Sequence, residues 1–440
     1  MAGPVSAAPE SEADVVALAH DGRGIARIDG KVVFIAGALP GERVRLRILR
    51  RRRKMDEAQL IEILTPSPDR VTPRCEHFGL CGGCSLQHLS ASAQLAAKQG
   101  QLLEDLSRIG QVRPERVLDP LQGPQWAYRR RARLGVKYVL KKGRVLAGFR
   151  ERDSPYLADI RHCEVLVRSL RSLPSDLAAL VETLKLREQI PQVEVAVGDA
   201  GTALVFRVMQ PPEASDIALL EEFGHRLGAQ IFLQSGGPDT VRPLHPDYPP
   251  LNYSIDCAAI SIGFRPLDFM QVNRSINEAM VGAAIDALQA RPEDTVLDLF
   301  CGLGNFTLPL ARQVRQVVGI EGDEGLVAGA RANALANGID NARFATENLF
   351  EPAAWGPWAE ARYGCVLLDP PRAGAAAVMM RVSQWAPRRI VYISCHPGSL
   401  ARDAGILVAS QGYRLIAAGV MDMFPQTTHV ESIAVFEQAT

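Results

Sequence analysis

The chain has 440 residues, 47% of them hydrophobic and 22% charged, with 49 basic residues balancing 49 acidic ones. That length predicts two or three domains with a sizeable core, and a net charge of zero excludes a protein that is basic throughout. No apolar run approaches the ~20 residues of a membrane span, and Met1–Asp14 lacks the layout of a signal peptide, so a cytoplasmic enzyme is expected.

Residues 1–14, small, polar and acidic, read as a disordered N-terminus. From Val15 to about Leu64, short β-type runs such as Lys31–Ala36 and Val44–Leu49 alternate with Gly turns, which predicts a small barrel of the OB type over 15–68. The basic charge is concentrated here: Arg43–Lys54 holds seven Arg and one Lys. A Pro-rich stretch, Thr65–Pro73, leads into Cys75, Cys81 and Cys84. A helix is predicted over Gln87–Ile109 from its apolar spacing. The region 69–263 then mixes strand-like runs (Arg133–Leu140, Val193–Val197, Thr202–Val208, Gln230–Gln234) with helical ones (Leu177–Arg187, Asp216–Leu227), which is α+β material without a repeat.

From Phe264 to the end, strand, loop and helix alternate. Strands are expected at Thr295–Leu299, Gln316–Ile320, Ala342–Thr346, Cys365–Leu368 and Arg389–Ile393, with helices at Ser275–Gln289, Leu326–Ala336 and Ala376–Trp385. Such alternation predicts a doubly wound parallel sheet that binds ligands beyond the carboxyl ends of its strands.

The chemistry-bearing motifs fall on those strand ends. Asp298-Leu299-Phe300-Cys301-Gly302-Leu303-Gly304-Asn305-Phe306 runs from a strand into a Gly loop, and Glu321 ends the next strand, where an acid meets ribose hydroxyls in nucleotide folds. A Gly loop alone could be any tight strand-to-helix turn. Joined to Glu321, it favours a nucleoside-bearing cofactor of the S-adenosylmethionine type, and the missing Gly-Lys-Ser/Thr argues against a triphosphate loop. Asn348 would lie near the adenine or serve as a turn residue. Asp369-Pro370-Pro371-Arg372 could orient cofactor or base, or cap a helix.

Cys395, in Ser394-Cys395-His396-Pro397, also sits just beyond a strand. Lone cysteines are usually structural, and Cys257, Cys301 and Cys365 are read that way, but position and polar flanks favour a cleft-facing thiol here. Glu431, before a final strand at Ile433–Phe436, is a candidate base or simply a surface or capping residue. For the other cysteine set, C-x5-C-x2-C with a remote Cys163 suits an iron–sulfur cluster better than zinc, while His77 and His88 keep zinc open. Tyr128-Arg129-Arg130-Arg131-Ala132-Arg133 suits unstacked bases and phosphates.

Together with Cys-Gly-Gly-Cys-Ser-Leu-Gln-His (81–88), Phe-Met-Gln-Val-Asn (269–273) and His-Val-Glu (429–431), these motifs resemble the RNA 5-methyluridine methyltransferases, most nearly the 23S ribosomal RNA uracil-C5 type. The resemblance spans nearly the whole chain. It implies a multidomain α/β protein: an OB-like TRAM barrel at 15–68, an α+β iron–sulfur central domain at 69–263 whose helical part 92–124 packs on the catalytic domain, and a Rossmann-like methyltransferase domain at 264–440. It implies S-adenosylmethionine contacts at Gln271, Phe300, Asn305, Glu321, Asn348 and Asp369, and a [4Fe–4S] cluster on Cys75, Cys81, Cys84 and Cys163. Cys395 becomes the nucleophile that adds to uracil C6, Glu431 the base that removes the C5 proton, and Arg133 a contact near the target uracil. A monomer acting on 23S ribosomal RNA, with no membrane partner, is expected. Two rivals remain, a transfer-RNA uridine C5-methyltransferase and a non-catalytic iron–sulfur RNA-binding or assembly factor. His396 departs from the family pattern, which more often has Asn, and leaves the local hydrogen bonding open.

Overall fold

Alternation of small or branched apolar residues with charged ones makes residues 10–65 fold as short strands, paired mostly antiparallel. In the computed structural model, which describes residues 10–439, the chain divides into two units. The first comprises residues up to Lys98 with 150–155 and 425–428. In it β1 (Glu10–Leu18), β2 (Gly24–Ile28), β3 (Lys31–Ala36), β4 (Arg43–Arg51) and β5 (Met55–Thr65) close a barrel in the order β1-β2-β3-β5-β4. Its interior is filled by side chains such as Val15, Val33, Ile35, Val44 and Leu46, the inward half of each period-two pattern.

The barrel begins five residues before the expected boundary. Residues 10–14 were expected in a disordered tail because they are acidic, and that acidity is what pairs them. Glu10 meets Arg47 at 2.7 Å and Glu12 meets Arg43 at 3.2 Å across the β1–β4 ribbon, so 10–14 are strand. The rest of that tail, residues 1–9, lies outside the described residues. The basic run is therefore divided: Arg43, Arg45 and Arg47 are balanced by Glu12, Glu62 and Glu10. Arg50, Arg51, Arg53 and Lys54, exposed at the β4–β5 hairpin, make no ion pair among the described residues.

The second unit spans 99–149, 156–424 and 429 onward. It takes in the latter part of α1 (Ala91–Arg108), then β6 (Arg116–Val117), β7 (Arg131–Val139), β8 (Arg144–Gly148), α2 (Leu173–Thr183), β9 (Gln192–Val197), β10 (Thr202–Arg207), α3 (Ala214–Leu227), β11 (Ala229–Gln234) and β12 (Val241–Pro243). These strands, β6 excepted, form a six-stranded sheet in the order β12-β11-β10-β9-β7-β8. A hairpin, β13 (Leu251–Ile255) and β14 (Ile260–Phe264), leads to α4 (Arg274–Leu288).

The catalytic sheet follows: β15 (Thr295–Leu299), α5 (Thr307–Ala311), β16 (Gln316–Glu321), α6 (Glu324–Ala336), β17 (Ala342–Thr346), β18 (Cys365–Leu368), α7 (Ala376–Met379), α8 (Val382–Trp385), β19 (Arg389–Ser394), α9 (Pro397–Ser410), β20 (Tyr413–Met421) and β21 (Glu431–Gln438). Eight strands run in the order β17-β16-β15-β18-β19-β21-β20-β6. The five from β17 to β19 are parallel and β21 is antiparallel to β19. Two apolar layers cover its faces, one including Met280, Val296 and Ile393, the other Leu297, Trp385 and Tyr392. Leu102, Leu106 and Val112 belong to the second layer, and β6 adds an edge strand beside β20. The single helix expected over Ala376–Trp385 is broken into α7 and α8 around Met380–Arg381.

Strand order reverses at β15, with β16 on one side and β18 on the other. In such sheets the ligand crevice lies at this switch point, outside the carboxyl ends of the strands.

Candidate active site

The Gly loop after β15 is built on backbone that most residues avoid. Phe300 has φ of 62°, Gly302 55° and Gly304 95°. Holding a phenylalanine in the left-handed region costs on the order of 1 kcal/mol or more, which surrounding structure must offset. At Gly304 a Cβ would lie 2.9 Å from Leu308 Cγ, so the close loop-to-α5 packing requires glycine.

Glu321, at the end of β16, is fixed by three backbone donors: Gly302 N–H at 3.1 Å, Gly322 N–H at 2.7 Å and Asp323 N–H at 3.0 Å. Asn348 accepts from Phe350 N–H at 3.0 Å and donates to Glu351 at 2.7 Å. Phe350 packs its ring 5.8 Å from that of Phe300. Gln271, Phe300, Glu321, Asn348, Asp369, Cys395 and Glu431 all line one cavity of about 680 Å³. Asn305 is directed elsewhere. It exchanges two amide hydrogen bonds with Asn277 of α4, at 2.9 and 3.0 Å, and accepts from Tyr253 Oη at 3.2 Å.

Cys395 is half-buried and directly precedes α9. In β19 and β21, Ser394 stands opposite Ser432 and Ile393 opposite Ile433. Continuing that register by one residue sets Cys395 opposite Glu431, which is 3% exposed. Burial pushes the Cys395 thiol up to about 11, the negative charges of Glu431 and Asp369 push the same way, and the Arg372 guanidinium opposes them. The positive end of the α9 dipole also favours a thiolate here. Burial raises Asp369 to about 7, and burial together with Asp369 holds Glu431 well above the carboxylate range. Asp298, beneath the loop, is raised to about 7, chiefly by burial. Its Oδ2 accepts from Thr307 Oγ1, and its Oδ1 has no partner. A cavity lined by the carboxyls of Glu321, Asp369 and Glu431 suits a cationic ligand.

Arg133 does not reach this cavity. It pairs with Glu194 at 2.9 Å and lines a separate one. Cys75, Cys81 and Cys84 lie in the first unit and Cys163 in the second. Around the first three, Gly82 N–H donates to Arg150 O at 2.9 Å and Gly83 N–H donates to Cys81 Sγ at 3.4 Å. A Cβ at Gly82 would stand 3.1 Å from Arg150 O.

A family model for tRNA (uracil-5-)-methyltransferases matches residues 253–439, and one for the TRAM domain matches 10–61. A protein of Methylococcus capsulatus called 23S rRNA (uracil(1939)-C(5))-methyltransferase RlmD is 51% identical over 436 residues, covering 99% of this chain and 98% of its own. The chain belongs to the RlmD family of methyltransferases. The namesake in Xanthomonas axonopodis pv. citri is 51% identical, covering 96% of each chain. A crystal structure of Pyrococcus abyssi tRNA (uracil-54, C5)-methyltransferase with S-adenosyl-L-homocysteine has a TM-score of 0.75 at 23% identity, covering 97% of this chain and 100% of its own, and shares the fold. Among the described residues no helix is long and apolar enough to cross a membrane.

Within this RlmD-family site, sequence reasoning left several cavity residues without a role. Arg129, Phe269, Arg372, Phe424 and His429 also line it. Arg372 and His429, which approach to 3.0 Å, belong to the Asp-Pro-Pro-Arg and His-Val-Glu motifs, and Arg129 to the basic run. The question left by His396 has a local answer. Its Nδ1 accepts from Ser399 N–H at 3.1 Å and caps α9, which is work an Asn side chain also does.

Proposed function

We propose that this protein methylates C5 of a uridine in 23S ribosomal RNA, with Cys395 as nucleophile and Glu431 as base. The observation that carries the reading is that Cys395 and Glu431 each lie one residue beyond the last β19–β21 pair, Ser394–Ser432, and both line a cavity shared with Glu321 and Asp369. Uracil C5 is a poor nucleophile. Addition of Cys395 Sγ to C6 makes C5 electron-rich, and after methylation Glu431 removes the C5 proton so that the C5–C6 double bond re-forms and the thiolate leaves.

S-adenosylmethionine supplies a methyl group on a sulfonium to C5. The residues fit it: a carboxylate at Glu321 held by three amides, aromatic rings at Phe300 and Phe350, and an acidic cavity for its positive charge. Gln271, Asn348 and Asp369 are proposed as further contacts. Asn305 is proposed to act through Asn277, fixing the loop against α4 rather than touching the cofactor.

Cys75, Cys81, Cys84 and Cys163 are proposed to hold a [4Fe–4S] cluster. Support comes from the all-thiol donor set at C-x5-C-x2-C spacing and from the amide donated to Cys81 Sγ, a bond that tunes cluster sulfurs. An anaerobically purified protein should absorb broadly near the visible, and Cys81→Ser should lose that absorbance. Zinc by metal analysis, without iron, would refute the cluster.

The deciding experiment for the reaction uses ribosomal RNA fragments carrying 5-fluorouridine. A covalent complex through Cys395, with methyl from labelled cofactor, is expected. Product without any crosslink to 5-fluorouridine RNA would overturn the adduct, and labelling of transfer RNA alone would overturn the substrate.

A further inference from the structure

The six-stranded sheet of the second unit has a second cavity, of about 1060 Å³, on one face. Register sets that face. Gln192 of β9 lies opposite Arg207 of β10, and Arg207 lies opposite Gln234 of β11. One row therefore crosses the sheet as Gln192, Arg207 and Gln234, all three lining the cavity. The helices lie on the reverse side: a Cβ at Gly224 of α3 would lie 2.8 Å from Ile231 Cγ1, and Ile231 alternates with Phe232 and Gln234 along β11.

The charges at the cavity are not all spent. Of the four acids that line it, Glu194 is engaged by Arg131 and Arg133, Asp268 by Arg265, and Asp323 accepts from Leu326 N–H, which leaves Asp239 against the five arginines Arg131, Arg133, Arg207, Arg242 and Arg265. Arg207, half-buried in the sheet, makes no ion pair or hydrogen bond among the described residues. Arg242 on the edge strand bonds only the carbonyls of Asp239 and Val241. A guanidinium held in a cavity between two glutamines, without a counter-ion, is an anion site flanked by base-edge donors and acceptors. Phe269, 67% exposed, and Leu326 line both this cavity and that of Cys395. An open aromatic ring at the junction can stack an unpaired base.

We propose that this sheet face binds the RNA strand next to the target uridine. One nucleotide stacks on Phe269 as the strand leaves the catalytic cavity, and a phosphate beyond it rests on Arg207, with Arg242 at the outer edge. The proposal rests on the uridine-methylating reading above and adds where the flanking strand runs. A sheet with helices on one face and single-stranded RNA on the other is an arrangement that RNA-binding modules use repeatedly. The volume exceeds the roughly 300–1,000 Å³ typical of a single small ligand, which suits more than one nucleotide.

The test uses the full-length protein and a ribosomal RNA fragment whose methylation by the wild type is scored in parallel. Arg207→Ala and Arg242→Ala are compared with wild type for RNA binding across salt concentrations, with cofactor binding and melting temperature as controls. Arg207→Ala is expected to weaken RNA binding about tenfold and to lower the salt dependence by about one counter-ion, with cofactor binding intact. Arg207→Lys should restore most of it. Should Arg207→Ala perturb folding, 4-thiouridine placed beside the target in wild-type complexes is expected to crosslink to peptides containing Met209 or Phe269. RNA affinity and salt slope unchanged in both alanine variants, or crosslinks confined to other surfaces, would overturn the proposal while leaving methylation in place. Wild-type protein that binds RNA through Arg207 but methylates no uridine would instead sink the catalytic reading.

Discussion

Cys395 and Glu431 are one residue beyond the Ser394–Ser432 pair, where the antiparallel β19–β21 ladder opens into the cavity. Neighbours across such a ladder lie within about 5 Å at Cβ, close enough for both to reach one pyrimidine ring. Their duties are sequential, so their variants should fail differently. Cys395→Ala is expected to lower methylation at least roughly 1,000-fold and to form no adduct. Glu431→Gln should add to C6 and accept methyl yet stall before elimination, accumulating a covalent complex with unmodified RNA. Denaturing gels with labelled RNA read the difference, and an adduct-free Glu431→Gln would remove Glu431 from the elimination step.

The pH profile has a definite sign. With the Cys395 thiol near 11 and Glu431 raised, both groups become more competent as pH rises. Below its pKa a thiol gains about tenfold in thiolate per pH unit. The single-turnover rate should therefore climb from pH 6 to 9. Arg372→Ala removes the cation that favours the thiolate, and should be roughly tenfold slower at pH 7, with the deficit shrinking at higher pH. A rate that falls above pH 7 would contradict this.

Asp298 links the cofactor loop to stability. Burial pushes its carboxyl up to about 7, from an ordinary value of 3.8, so the folded state holds its proton longer than the unfolded chain. A raised carboxyl contributes stability that is fully present below about pH 4 and is lost as pH rises through 7, up to about 4 kcal/mol in all. Asp298→Asn keeps an oxygen acceptor for Thr307 and removes the charge. Its melting temperature should exceed that of wild type at pH 8 and match it near pH 4.

His396 offers a cleaner capping test. His396→Asn preserves an acceptor for Ser399 N–H and should change stability little. His396→Ala should cost about 1 kcal/mol by denaturant unfolding, and a costless alanine variant would show that the cap contributes nothing.

Much of the catalytic domain was legible because its information is local. Strand ends carry the motifs, and the parallel order of the strands brings those ends to a common rim. The seven cavity residues that meet there come from seven separate strand ends and loops. What was not legible depends on pairing across distance. Asn305 reads as a loop residue facing ligand, but Asn277, 28 positions earlier, claims both ends of its amide. Glu10 and Glu12 read as tail because their arginines lie more than thirty positions away. Arg133 reads from its run as a contact near the target uracil, and β7 sets it beside Glu194 at the second cavity, away from Cys395. The second cavity could not be read at all, since Gln192, Arg207 and Gln234 become neighbours only through register.

The β1–β4 ion pairs carry a consequence for how the barrel meets a polyanion. Exposed pairs of this kind add little stability, about 0–1 kcal/mol each, but they leave that wall electrically quiet. Within the basic run of β4 and its hairpin, unpaired positive charge among the described residues then falls at the tip, on Arg50, Arg51, Arg53 and Lys54. Such a tip orients a phosphate backbone instead of coating it, and replacing Glu10 and Glu12 with glutamine would trade that directional grip for a broad, indiscriminate one.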